Sequence, residues 1–446
     1  MLQSPNMTGT ATDSRRVFAP DEGLNPEQLA AATAGDGPIL VLAGPGSGKT
    51  RVLTARVAHL IGTGVQPWQV LAVTFTNKAA REMRHRLGRR LGDEVLTKLT
   101  IGTFHGFCAR LLRQEAEGAG IAPNYVIYDT ADQRRVVRRA LEDLEIDHTQ
   151  HRPPGILAII SRAKNELLGP GDFVPTSYPE EIAARVFARY EELLGECNAL
   201  DFDDLLLKVA RLLGRDAAVR HRLQRRYAHV LVDEFQDTNM AQYKILKHLA
   251  AAAVATAPHN LFVVGDEDQS IYSWRGADWR NVDRFRTDFP GARTVLLQQN
   301  YRSTQNILDA ARAVIDRNRR RTPKRLWTEA PAGDRLVVFE AYNEAEEAAY
   351  IVREIRRLVE AGGRYGDAAV MYRTNAQSRS VEDALVRSRI PYTIVGATRF
   401  YQRREVKDIL AYLHLVHNPR DDFALDRVST VPPRGIGPKA YGTLTA

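Results

Sequence analysis

The sequence predicts an α/β fold built on parallel sheet, with two such units in tandem and helical segments inserted among them. Three observations carry this expectation. Short apolar runs bounded by turn formers alternate with segments of helical periodicity, the pattern of strands buried on both faces by crossover helices. The alternation lapses between about 108 and 200 and then resumes. A second alternating region begins near 291.

The strand-forming runs of the first region are Pro38–Leu42, Val70–Thr74, His229–Val232 and Leu261–Val264. Apolar residues recur at helical spacing from Lys49 to Ile61 and from Asn77 to Leu91. The stretch 108–200 reads as a helical, Arg-rich insertion with a break at Pro153-Pro154-Gly155. In the second region the runs Thr294–Leu297, Leu336–Phe339, Ala368–Tyr372 and Tyr392–Val395 are expected as strands, and from about 398 the chain reads as helical again. Residues 1–20, rich in Ser, Thr, Pro and Gly, read as a flexible tail. The expected organisation is thus a first α/β domain from 21–107 and 201–290, the insertion 108–200, a second α/β domain at 291–397, and the start of a helical domain at 398–446.

At 446 residues the chain exceeds one ordinary domain. Its 62 Lys+Arg against 54 Asp+Glu give a net charge of +8, which suits a polyanionic partner and equally a solubilising surface, so charge alone does not choose. Two cysteines, Cys108 and Cys197, are too few for a disulfide framework and fit a reducing compartment. No apolar run reaches the ~18 residues of a membrane span. The N-terminus lacks a signal-peptide pattern, and nothing resembles a zinc site. A cytoplasmic, nucleoid-associated protein without a membrane partner is expected.

The chemistry begins at Ala43-Gly44-Pro45-Gly46-Ser47-Gly48-Lys49-Thr50, which follows a buried strand and opens a helix. In such a loop the backbone N–H groups converge on phosphate at a helix N-terminus. Lys49 would then pair with the β- and γ-phosphates, and the Thr50 hydroxyl would bind Mg²⁺. The strict motif begins with Gly where this chain has Ala43, and the glycines that follow still supply the turn. The run Val230-Leu231-Val232-Asp233-Glu234 ends an apolar strand in paired carboxylates, at the sheet edge where α/β ligands bind. Asp233 would hold Mg²⁺ and Glu234 would activate the attacking water. Alone, an acidic pair at a strand end is a weak signal; with the phosphate loop it points to an ATPase.

Further segments give the expectation a family. Asp233-Glu234-Phe235-Gln236-Asp237-Thr238 resembles the Walker B motif of the superfamily 1A helicases of the UvrD/PcrA/Rep family. Leu24-Asn25-Pro26-Glu27-Gln28 resembles their Q motif, Thr74–Ala80 motif Ia, and Gly102–Gly106 motif Ib. Gly265–Tyr272 through Trp274–Ala277 resembles motif III, Gln299–Thr304 motif IV, and Tyr372–Arg379 a further family segment. The match runs in family order from about residue 20 to the end of the chain.

The resemblance implies a P-loop NTPase of two RecA-like domains with ATP and Mg²⁺ in the cleft between them. It implies that Gln28 hydrogen-bonds adenine, that Tyr301 stacks on it, and that Arg51 lies alongside. It gives Gln269 to the γ-phosphate as a sensor that couples to DNA, and Arg302 as an arginine finger reaching across the cleft. Single-strand motors need stacking faces and backbone contacts. The resemblance places Phe75, Asn77, Tyr272, Trp274 and Arg275 on that track, with Phe202 in a neighbouring segment. His105 would contact the DNA backbone or serve as a structural histidine. Arg434-Gly435-Ile436-Gly437-Pro438-Lys439 looks like a helix-hairpin-helix turn whose glycines, Gly435 and Gly437, would expose amides to duplex phosphate, with a plain helix–helix turn as the alternative. The Arg-rich helix at 134–139 and the run Arg317 to Arg325 could bind phosphate or could be solvated faces.

The implied activity is ATP-driven 3′→5′ translocation on single-stranded DNA with duplex unwinding, in DNA repair, by a monomer or a dimer formed on DNA, with repair-protein partners. The family's motifs V and VI would lie beyond Ala446, so the second RecA-like domain is expected to be incomplete. A second reading of the same residues follows: a DNA- and nucleotide-binding module that does not hydrolyse ATP efficiently without those motifs.

Overall fold

The apolar runs of the first region assemble into one parallel sheet. The computed structural model describes residues 23–250, 260–273, 276–318, 321–395 and 403–436. The expected tail at 1–20, together with Trp274, Arg275 and Gly437, lies outside the described residues. The strands are β1 (Ile39–Ala43), β2 (Val70–Thr74), β3 (Thr100–Thr103), β4 (Val126–Ile127), β5 (Ala199–Leu200), β6 (His229–Val232), β7 (Leu261–Gly265) and β8 (Arg293–Leu297). Six of them form the main sheet in the order β3-β2-β6-β7-β1-β8. β1 pairs with β7 from Ile39↔Phe262 to Leu42↔Gly265, and with β8 from Ile39↔Arg293 to Ala43↔Leu297.

Successive side chains on a strand point to opposite faces, and both faces here are covered. Leu40, Leu42, Leu71, Val73, Val230 and Val232 join one core with Phe104, Leu206, Leu246 and Phe285. Ile39, Val41, Val70, Ala72, Leu231 and Val264 join the other with Val52, Val57, Met83 and Leu87. This is why the strands read as continuous apolar runs.

The described residues divide into two compact units, one holding those up to Gly333 and from Ala411, the other Asp334–Leu410. β8 therefore corrects the sequence reading. The run expected to open the second domain is instead the edge strand of the first sheet, because it pairs along the length of β1 and buries Val295 and Leu297 in that core.

The insertion is helical as expected, with helices Thr130–Asp143, Pro153–Asn165 and Tyr178–Glu196 around Val136, Ile160, Phe187 and Tyr190. Pro153-Pro154-Gly155 is a helix start rather than a break. Proline in the first turn gives up an amide that has no partner there. β4 and β5 flank the insertion as a short parallel pair, too short for any periodicity to reveal. The final segment forms helices Arg404–His417 and Asp422–Thr430. Within the first unit its buried Asn418 donates to the Cys197 carbonyl at 2.7 Å, and Asp421 accepts from the Tyr128 hydroxyl at 2.6 Å.

In the second unit the helices Glu344–Glu360 and Ser378–Arg387 pack through Ala348, Val352, Val381, Ala384, Leu385 and Ile390. The runs 336–339, 368–372 and 392–395, expected as strands, carry no ladder pairing among the described residues, and Val337, Val338 and Met371 are exposed. An apolar run becomes a strand only when a neighbour takes up its backbone groups. No described helix is long and apolar enough to cross a membrane.

Lys164 joins the insertion to the sheet domain. Its ammonium is fully buried, 2.8 Å from both Asp201 and Asp204 at the start of helix Phe202–Arg215, and Tyr190 donates to Asp201 at 2.8 Å. Burial opposes the charge, but the two aspartates hold the ammonium well above the ordinary lysine range. Lys164→Met would leave these carboxylates buried and unpaired. Denaturant unfolding should show a loss of about 3–5 kcal/mol; a loss below about 1 kcal/mol would contradict this role.

Candidate active site

The carboxyl ends of four adjacent strands build the nucleotide half of the site. β1 leads into the phosphate loop, β6 into Asp233-Glu234, β7 into Asp266, and β8 into Asn300-Tyr301-Arg302. The loop turns through Gly46 at φ +67° and Gly48 at φ +86°, a region that favours glycine. Gly48 caps helix Lys49–Gly62 without a side-chain bond, which leaves the first-turn amides for an anion. The buried Ser47 hydroxyl donates to the Gly44 carbonyl at 2.7 Å and braces the loop.

Thr50 Oγ1 donates to Asp233 Oδ2 at 3.0 Å. Asp233 is buried, and its carboxyl is pushed up to about 6 by that burial and by the neighbouring Glu234, against the opposing pull of Thr50 and Lys49. A hydroxyl beside a buried carboxylate suits a hard divalent cation, whose remaining positions come from phosphate and water. The pair thus fits Mg²⁺. Glu234 adopts the left-handed region at φ +53°, ψ +47°, uncommon for a residue with a side chain and frequent at functional turns. Its Oε2 lies 4.0 Å from Lys49 Nζ and accepts from Gln236 Nε2 at 2.9 Å.

The segment after β8 closes on the phosphate loop. Asn300, buried, donates through Nδ2 to the Pro45 carbonyl at 2.5 Å, and its Oδ1 accepts from the amides of Arg302 and Ser303 at 2.8 and 2.7 Å. The Tyr301 amide donates to the Gly46 carbonyl at 3.0 Å. Sequence reading missed Asn300; its only signal was its place beside Tyr301-Arg302. Tyr301 and Arg302, expected on a second domain, sit on the same unit as the loop because β8 does. Tyr301 is 52% exposed, and its hydroxyl donates to Gln299, which also accepts from Asn25. Arg302 is exposed. Arg51 is exposed too, its guanidinium against Gly23.

Gln28, expected to hydrogen-bond adenine, has its side-chain amide bonded within the protein. Its Oε1 accepts from the Asn25 amide at 3.1 Å and its Nε2 donates to the Ser47 carbonyl at 2.8 Å, so the buried amide props the phosphate loop. Gln269, at the end of the turn Glu267–Gln269, donates to Asp266 Oδ2 at 2.6 Å.

The other end of the same sheet edge carries the residues expected on DNA. Phe75 follows β2, and its ring stacks on Tyr272 with centroids 5.4 Å apart and planes 27° from parallel. Asn77 is exposed at the first position of helix Asn77–Leu91, which Thr76 caps. His105 follows β3 and meets the Phe202 ring edge-on at 6.0 Å. Burial pushes its imidazole below the ordinary range, so at neutral pH it is a neutral hydrogen-bonding group and not a cation. Gly435 adopts φ +71°, as a tight turn requires, and Arg434 beside it lies over the Tyr412 ring at 5.7 Å.

A phosphate loop at the end of an interior parallel strand, with a buried Asp233 and a half-buried Glu234 following the strand two places away, defines a P-loop NTPase. Comparison with known proteins narrows the class. Residues 24–290 match the UvrD/REP helicase N-terminal domain and residues 295–446 the UvrD-like helicase C-terminal domain, and the chain belongs to this helicase family, of tandem RecA-like α/β type. It is 46% identical over 419 residues to the ATP-dependent DNA helicase PcrA of Leuconostoc citreum, covering 93% of this chain and 55% of that protein. It is 44% identical over 420 residues to the PcrA helicase of Staphylococcus aureus strain Mu50, covering 94% and 57%. The chain thus spans a little over half the length of these relatives.

A Cβ on Gly46 would lie 2.6 Å from Asn300 Nδ2 and 2.7 Å from Arg302 Cβ, at a φ that L-residues rarely adopt. Strain of about 1–3 kcal/mol should fall on the loop in Gly46→Ala. Titration with an ATP analogue should show affinity lowered by roughly tenfold or more; unchanged affinity would contradict the packing described.

Proposed function

We propose that this chain supplies the nucleotide site and a single-strand track of an ATP-dependent DNA helicase that moves 3′→5′ along single-stranded DNA and separates duplex DNA, in DNA repair. The observation that carries the reading is the shared sheet edge. The phosphate loop, Asp233-Glu234 and Asp266 occupy one half, the Phe75–Tyr272 pair and His105 the other, and β2 lies directly beside β6. The helicase names of the two relatives support it.

In this reading Lys49 and the loop amides hold the β- and γ-phosphates of ATP. Thr50 and Asp233 would hold Mg²⁺, which when bound neutralises charge on the transferred phosphoryl group. Glu234, 4.0 Å from the Lys49 ammonium, takes a proton from the attacking water. Arg302 faces developing charge with its cation. Tyr301 offers its exposed ring to adenine, Arg51 lies beside it, and Gln28 reaches the base only by exchanging one of its present bonds. Gln269 senses the γ-phosphate. Phe75 and Tyr272 stack on bases, and Asn77 and His105 contact the backbone. Trp274 and Arg275 would contact the single strand, and Gly435 and Gly437 duplex phosphate. The protein works at the nucleoid as a monomer or a dimer formed on DNA, with repair proteins as partners.

Steady-state hydrolysis of ATP with and without single-stranded DNA tests this. Hydrolysis should rise with DNA and fall by roughly 10²–10⁴ in Glu234→Gln. Binding of both ligands with no stimulation would favour a binding module over a motor. Phe75→Ala should weaken single-strand affinity by about 1–3 kcal/mol in fluorescence titrations; an unchanged affinity would assign the ring pair to packing.

A further inference from the structure

Within the basic run that follows helix Gln305–Ile315, Arg317 and Arg325 are exposed, but two of the cations are not. Arg321 and Lys324 turn inward onto Asp266-Glu267-Asp268. Lys324 is buried, and its ammonium pairs with Asp266 Oδ1 and lies 3.3 Å from Asp268. Arg321 Nη2 donates to Asp268 Oδ2 at 3.0 Å. The amide and hydroxyl of Thr322 donate to Glu267 at 2.8 and 3.1 Å. Three consecutive acidic side chains are thus held by a segment that the sequence joins to Tyr301-Arg302.

Asp266 is the junction. It is fully buried, and its two carboxylate oxygens are divided: Oδ1 takes Lys324 and the Asp268 amide, the latter at 3.2 Å, and Oδ2 takes the Gln269 side chain at 2.6 Å. Its backbone amide donates to Gln236 Oε1 at 2.9 Å, and Gln236 Nε2 in turn donates to Glu234 Oε2 at 2.9 Å. A continuous path of bonds therefore runs from the water-activating carboxylate through Gln236 and Asp266 to Gln269. Lys324 is the buried cation that holds the central carboxylate of this path in place.

We infer that Lys324 is a positioning residue for γ-phosphate sensing. By neutralising Asp266 it leaves the Gln269 amide on a single exchangeable bond, free to pass between Asp266 and phosphate. Without the ammonium, the buried carboxylate keeps only the Asp268 amide and Gln269 as donors, and its uncompensated charge holds Gln269 more tightly. That alters the response to the terminal phosphate and spares the contacts to the β-phosphate. The inference rests on the functional reading above.

The test compares affinities for a non-hydrolysable ATP analogue and for ADP, with Mg²⁺, in the unsubstituted chain and in Lys324→Met. Thermal unfolding checks that the variant folds; if it does not, Lys324→Gln, which keeps a donor for Asp266, takes its place. The preference for the analogue over ADP should fall by roughly fivefold or more while ADP affinity stays within about twofold. Lys324→Arg, which retains the charge, should recover most of the preference. A folded variant with unchanged preference would overturn this inference alone. An unsubstituted chain that shows no preference would overturn both it and the reading of the site.

Discussion

The pairing of β1 with parallel strands on both sides is the constraint on which the site depends. β7 and β8 fix the height of the β1 terminus, and that height decides where the phosphate loop begins. The Gly44 amide donates to the Leu297 carbonyl at 3.2 Å, carrying the β1–β8 ladder into the loop itself. Asn300, one turn further on, then holds the loop from the outside through Pro45. A loop of glycines has many conformations open to it. Here the surrounding strands, the Ser47 hydroxyl and the buried amides of Asn300 and Gln28 choose a single one.

From that frame the polar groups of the site form a connected set. Thr50 meets Asp233, Lys49 faces Glu234, and Gln236 links Glu234 to Asp266. Such networks are costly when broken and specific when complete, because each buried polar group needs its partner. The same sheet edge continues through β6 to β2 and β3, where the Phe75–Tyr272 pair and His105 lie. Tyr272 comes from the loop after β7, so it shares a short stretch of chain with Asp266 and Gln269. A change at the phosphate end has only a few residues to travel before it reaches an aromatic ring.

Much of this was legible in the sequence, for physical reasons. Buried parallel strands are continuous apolar runs, so β1, β2, β6 and β7 could be read directly. The phosphate loop and Asp233-Glu234 showed because their chemistry demands particular residue types at fixed spacing. β8 was found as a strand and given to the wrong sheet, since a run such as Thr294–Leu297 carries no record of its partner. The runs at 336–339, 368–372 and 392–395 have strand composition without strand pairing among the described residues. Asn300, Gln236 and Lys324 were passed over because their roles come from tertiary contact. Lys324 lies in a cluster of cations whose most common fate is a solvated surface, and only the fold brings it to Asp266. Gln28 was noticed for a base contact, while the fold shows it propping Ser47.

The central claim is that nucleotide and DNA halves of one sheet edge are energetically coupled. The most direct measurement is the affinity for single-stranded DNA in the presence and absence of a saturating non-hydrolysable ATP analogue, with the converse titration alongside. The account requires a change of roughly 5-fold or more, and the same factor in both directions, because linkage is reciprocal. Two affinities that ignore each other would contradict it, and would leave two neighbouring sites on one sheet with no motor between them.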